Sequence, residues 1–88
     1  MAYAVRMASS AFRDLESIPP RYAAAILEFI YGVLADNPQR VGKPLKRELV
    51  GCHSARRGDY RVIYEIHENA GDVLITRVSH RTTIYRSR

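Results

Sequence analysis

Between residues 53 and 61 the chain reads His-Ser-Ala-Arg-Arg-Gly-Asp-Tyr-Arg, and the glycine near its middle dictates what can surround it. Gly58-Asp59 has the form of a two-residue hairpin turn whose first position requires φ > 0, which glycine adopts without a Cβ penalty. A turn of that length fixes the register of both strands. It pairs Arg57 with Tyr60, Arg56 with Arg61, Ala55 with Val62 and Ser54 with Ile63. Two guanidiniums then stand opposite each other on one sheet face, which costs stability unless something negative lies between them. An anion there is one reading, because arginine suits phosphate. The other is that both side chains splay into water, or that Glu65 on the same strand face partly neutralises them.

The alternation extends beyond the hairpin. Residues 60–67 place Tyr60, Val62, Tyr64 and Ile66 on one face, with residues 48–57 and 72–79 as neighbouring strands and Glu68 to Gly71 as the second turn. Tyr3 to Met7 alternates as a first strand. Helical spacing follows, with Ala11, Phe12, Leu15 and Ile18 on one face behind a cap at Ser9 or Ser10. Pro19-Pro20 ends that helix and opens the next, with Pro20 near the first helical position. In the second helix Tyr22, Ile26, Phe29, Ile30 and Val33 form a stripe that Leu27 and Leu34 widen. Asn37-Pro38 stops it. Residues 38–46, with Gly42 and Pro44, read as a loop.

These elements predict a single α+β domain over residues 1–88 in the order β-α-α-β-β-β. Two antiparallel helices pack on one face of a small, mainly antiparallel sheet. Strand parity leaves Arg56, Arg61, Ser54, Ile63 and Glu65 on the other face. Arg57 falls on the core side, at the hairpin end, where it reaches solvent.

Charge narrows the partners. The net charge is +5, and twelve of the fourteen basic residues are arginine. Residues 1–44 carry a net +1 and residues 45–88 a net +4, so the excess lies with the hairpin and tail. That balance favours a polyanion, usually nucleic acid. Lys43, Lys46 and Arg47, around the loop and strand start, suit contacts with the backbone of such a polyanion. A lone Cys52 fits a reducing compartment and excludes an internal disulfide. Cys52, His53, His67 and His80 share no metal-site spacing, and no cofactor is expected. With no membrane span and no signal-peptide run, the expected location is the cytoplasm.

The order of elements, Asn37-Pro38 ahead of Gly42-Lys43-Pro44-Leu45, the block from Ser54 to Tyr64, and His80-Arg81-Thr82-Thr83-Ile84-Tyr85 together resemble the RelE branch of the RelE/ParE toxin superfamily. The likeness covers essentially the whole chain and is nearest to RelE-type toxins of mycobacterial toxin–antitoxin pairs. It implies a metal-independent endoribonuclease that enters the ribosomal aminoacyl site and cuts the mRNA codon there. It also implies a RelB-like antitoxin that wraps the toxin and covers its basic face. Arg61 aligns with the family's phosphate-binding arginine, Arg81 with the arginine after the last core strand, and Tyr85 with the C-terminal tyrosine. Arg56 and Arg57 lie where relatives carry basic residues; Arg56 joins the expected catalytic set, and Arg57 and His80 the RNA- and ribosome-binding one.

The sequence departs from that pattern at Cys52 and Ser54, where well-studied relatives place lysines. An arginine cannot act as general base, since its pKa stays above about 12. Tyr85, His80 and His53 are the candidates, alongside cleavage by substrate positioning alone. Two other readings share the fold: a ParE-like inhibitor of DNA gyrase, and an inactive relative that only binds antitoxin or ribosome.

Overall fold

In the computed structural model, which describes residues 2–80, Gly58 takes φ 63° and the flanking strands pair in the register its turn dictates. β3 (Cys52–Arg57) and β4 (Tyr60–His67) run antiparallel, with Arg56 opposite Arg61 and Arg57 opposite Tyr60. After a turn at Gly71, φ 72°, β5 (Asp72–His80) lies antiparallel to β4. β1 (Ala4–Met7) runs parallel to β5, and β2 (Lys43–Pro44) is a two-residue edge strand antiparallel to β3. The sheet order is β1-β5-β4-β3-β2, an α+β architecture with one strand more than expected.

The helices supply one side of the core. α1 (Ser9–Glu16) buries Ala11 and Leu15; α2 (Pro20–Phe29), with Pro20 in its first turn, buries Ile26. The second helix continues through a wider π turn, Ile30–Leu34, which buries Ile30 and Leu34. Steps of four residues drift by about 40° around an ideal α-helix, and a wider turn takes up part of that drift. Ile26, Ile30 and Leu34 thus meet Ala55, Val62, Tyr64, Val73, Ile75 and Val78 in one cluster. All six sheet residues share the core face by register, with the bulge between Ile63 and Tyr64 bringing Val78 onto it beside Ile75 and Val73.

Several expectations need correction. Neither serine caps α1: Ala8 is the N-cap, and the Ser10 hydroxyl instead donates to the Thr76 carbonyl at 2.6 Å. Phe12, Tyr22 and Val33 are exposed, because only the middle of each apolar stripe faces the sheet. Residues 38–46 are not a plain loop. They form α3 (Pro38–Val41) and then β2, which the Leu45 amide extends by donating to the Cys52 carbonyl at 2.9 Å. The strand expected from residue 48 starts at Cys52, after a 3₁₀ turn over Arg47–Leu49. The last strand runs through His80 rather than ending at residue 79. Ile63 keeps the outer face that parity gives it, yet is buried there.

Two devices position the site. β1 stops at Met7, and α1 then covers the exposed edge of β5. Asp14 accepts from the Val78 amide at 2.8 Å and from Arg77 at 2.8 and 3.2 Å. Those bonds satisfy an edge that would otherwise recruit another strand. At the opposite edge, the buried Tyr64 hydroxyl donates to the Pro38 carbonyl at 2.6 Å. A Cβ on Gly42 would overlap that hydroxyl and crowd the Ser54 carbonyl. Glycine there lets α3 and β2 close onto β3.

No described helix is long and apolar enough to cross a membrane.

Candidate functional site

The hairpin separates its charged residues onto two sides. Arg56 and Arg61 are directly opposed on the face turned away from the helices. Opposed Cβ atoms in such a ladder lie about 5 Å apart, so the two side chains leave the sheet next to each other. Ser79 is the partner of Arg61 on β5, and Ser54 lies two residues from Arg56 on β3. Lys43 is the register partner of Ser54 and therefore belongs to this same face, on the edge strand. Arg77 reaches the face by register but is held by Asp14 of α1. Alternation along the strand does not single out Arg77; its place opposite Ile63 follows only from the bulge that shifts register between Ile63 and Tyr64.

Arg57, Tyr60 and His80 lie on the helix side. Tyr60 is the partner of both Arg57 and His80, and the His80 ring meets the Tyr60 ring edge-on at 5.5 Å. The Tyr22 ring stands 6.0 Å from Tyr60 and carries the Arg21 guanidinium at 4.9 Å from its centroid. With the hairpin tip, Tyr22, Arg57, Tyr60 and His80 line a cleft of about 520 Å³. Lys46 and Arg47 are exposed in the segment after β2, so they flank the arginine face without belonging to it. Arg81 and Tyr85 lie outside the described residues.

This geometry bears on proton transfer. His53 is the partner of Tyr64, and their rings stack 5.6 Å apart on the core side of the sheet, facing away from Arg56 and Arg61. His80 also belongs to the helix side, through Tyr60. Cys52 is on the arginine face by register, but burial and then the Glu65 carboxylate push its thiol up, so it is a protonated thiol at neutral pH. His67 lies at the far end of β4, where its ring nitrogens approach Glu65 at 2.9 Å and Asp72 at 3.3 Å. It lies six residue steps along the strand from Arg61, about 20 Å.

Similarity to known proteins gives this face a context. Residues 5–85 match the family model described as ParE toxin of the type II toxin–antitoxin system. The chain is 54% identical to Toxin RelG of Mycobacterium tuberculosis over 86 residues, covering 98% of this chain and 99% of that protein. It is 48% identical to Toxin RelE of the same organism, covering 96% and 87%. Among solved structures, the M. tuberculosis toxin–antitoxin complex RelBE2 contains a chain that aligns with a TM-score of 0.89 at 52% identity, over 92% of this chain and 93% of that one. The isolated Escherichia coli RelE toxin shares the fold at TM-score 0.73 and 16% identity, over 97% and 93%. With a family model spanning nearly all of its length and two relatives near half identity, the chain belongs to the RelE/ParE family of toxins of type II toxin–antitoxin systems.

Proposed function

We propose that this toxin is a ribosome-dependent mRNA endonuclease that cuts the codon in the aminoacyl site and so stops translation. The observation that carries the reading is the pairing of Arg56 against Arg61 on the face away from the helices. Two arginines opposed on one sheet face are suited to the paired oxygens of a phosphodiester. An inhibitor that only occupies a protein surface has no chemical need for that arrangement.

The reaction follows from the RNA itself. The ribose 2′-oxygen attacks the adjacent phosphorus, forming a new P–O bond as the P–O5′ bond breaks. The products are a 2′,3′-cyclic phosphate and a 5′-hydroxyl. One proton leaves the 2′-hydroxyl and one reaches the departing 5′-oxygen, so the step balances without a metal. Negative charge grows on the non-bridging oxygens, where Arg61 and Arg56 act as the cationic counterpart, joined by Arg81 from the tail. Arg57, Lys46, Arg47 and His80 are the RNA and ribosome contacts, a role that depends more on charge than on exact position, and Lys43 is the RNA contact on the arginine face itself.

The base is the remaining role. His53 and His80 belong to the other side of the sheet, and the raised Cys52 thiol is a poor proton acceptor. Tyr85 is retained as the candidate on the family resemblance, with ordering of the RNA by the ribosome supplying the rest of the acceleration. In this reading a cognate RelB-like antitoxin neutralises the toxin by covering the basic face, and both work in the cytoplasm. Support comes from relatives solved with their antitoxins, the M. tuberculosis complex among them.

Mapping new 5′ ends on cellular transcripts after brief induction tests the proposal. Cuts inside translated frames, absent when ribosomes are withheld in a purified system, are the expected result. Intact transcripts combined with blocked DNA supercoiling would replace the nuclease with a gyrase poison.

A further inference from the structure

The outer face of β3 carries no charge before Arg56: Cys52 and Ser54 are its contributions there. The edge strand fills that position. β2 consists of two residues, and its register sets Lys43 directly against Ser54, on the face of Arg56 and Arg61. Ordinary sheet spacings put the Lys43 Cα about 8 Å from that of Arg56 and about 12 Å from that of Arg61. Extended lysine and arginine side chains close such gaps easily, so three cations can meet one strand of RNA. Lys43 is exposed, and no ion pair among the described residues holds it.

The placement of Lys43 is enforced rather than incidental. Gly42 has no Cβ to meet the Tyr64 hydroxyl and the Ser54 carbonyl, which lets β2 lie against β3. Leu45 then donates to Cys52 and ties the far end of the strand. A lysine on an edge strand has an ordinary use, discouraging pairing with a second sheet. That use requires a charge at the edge. It does not require the charge to share a face with two opposed arginines, in the row of side chains next to theirs.

We propose that Lys43 is a third phosphate-binding cation of the cleavage site, supplied from the edge strand and acting on the reacting RNA backbone rather than on the ribosome at large. This rests on the nuclease reading above. The test is single-turnover cutting of ribosome-bound mRNA at saturating toxin by the wild type, Lys43→Gln and Lys43→Arg.

Lys43→Gln is expected to lower the saturated rate about 10- to 100-fold, Lys43→Arg to stay within about three-fold of wild type, and neither to move the melting temperature. An unchanged saturated rate with only a higher half-saturating concentration would make Lys43 a general ribosome contact and overturn the proposal. Full activity of Lys43→Gln with increased self-association would make it an edge guard. An arginine variant as slow as the glutamine one would show that charge is not what this position supplies. A wild-type protein that cuts nothing on any ribosome would remove the nuclease reading itself, and this one with it.

Discussion

Single side chains determine how tightly the site's edge is held. Gly42 and Tyr64 form one unit, in which the phenol fills the space a Cβ would need and donates to Pro38. Gly42→Ala is therefore expected to cost about 1–3 kcal/mol, the range for forcing extra atoms into a packed core. Urea unfolding measures it, and a cost below about 0.5 kcal/mol would mean that β2 shifts freely. Burial also pushes the Tyr64 phenol up to about 12. Because its folded value lies above the ordinary value near 10, its contribution is complete below about pH 10 and is lost as pH rises toward 12. Tyr64→Phe should flatten that alkaline loss of stability in denaturation curves taken from pH 9 to 12. An unchanged alkaline slope would assign the loss to other groups. Neither partner's role was legible locally. Gly42 reads as a loop glycine until a tyrosine twenty-two residues later is folded against it.

At the scale of elements, the sequence was most readable where a backbone rule admits one answer. The two-residue Gly58-Asp59 turn fixed the register of four residue pairs, and all four are found. The helix stripes were less readable, because periodicity gives the direction of a face but not its width. Tyr22 and Val33 lie on the margins of the α2 stripe and are exposed, whereas Ile26, Ile30 and Leu34 are fully enclosed. Ile30→Ala is expected to cost about 2–5 kcal/mol, and Val33→Ser to stay within about 0.5 kcal/mol. Equal losses for the two would contradict this division of the helix. The short elements between Asn37 and Cys52 were invisible for a different reason. A two-residue strand has no period, and β2 exists only because β3 offers it an edge.

For the whole molecule, the sheet functions as a partition. One face holds the helices and the core; the other presents cations drawn from the neighbouring strands β2, β3 and β4. The basic excess in the second half of the chain hinted at this, yet charge totals could not separate Arg56 and Arg61 from Arg57, which the hairpin directs to the opposite side. Strand parity made that distinction from sequence. It also showed that His53 faces the core, which the stacked Tyr64 ring bears out. What parity could not supply was the contribution of Lys43, since its strand was not foreseen. Arg81 and Tyr85 were identified through the family resemblance, and their part in the site is a proposal.

The central claim is that the opposed arginines stabilise charge on a phosphodiester as it breaks. Its most direct measurement is the saturated single-turnover rate of cutting ribosome-bound mRNA by Arg61→Ala beside the wild type, with folding followed by circular dichroism. The account predicts a fall of about 10²–10³-fold in a normally folded protein, the loss typical of one transition-state donor. Wild-type cutting by Arg61→Ala would contradict it.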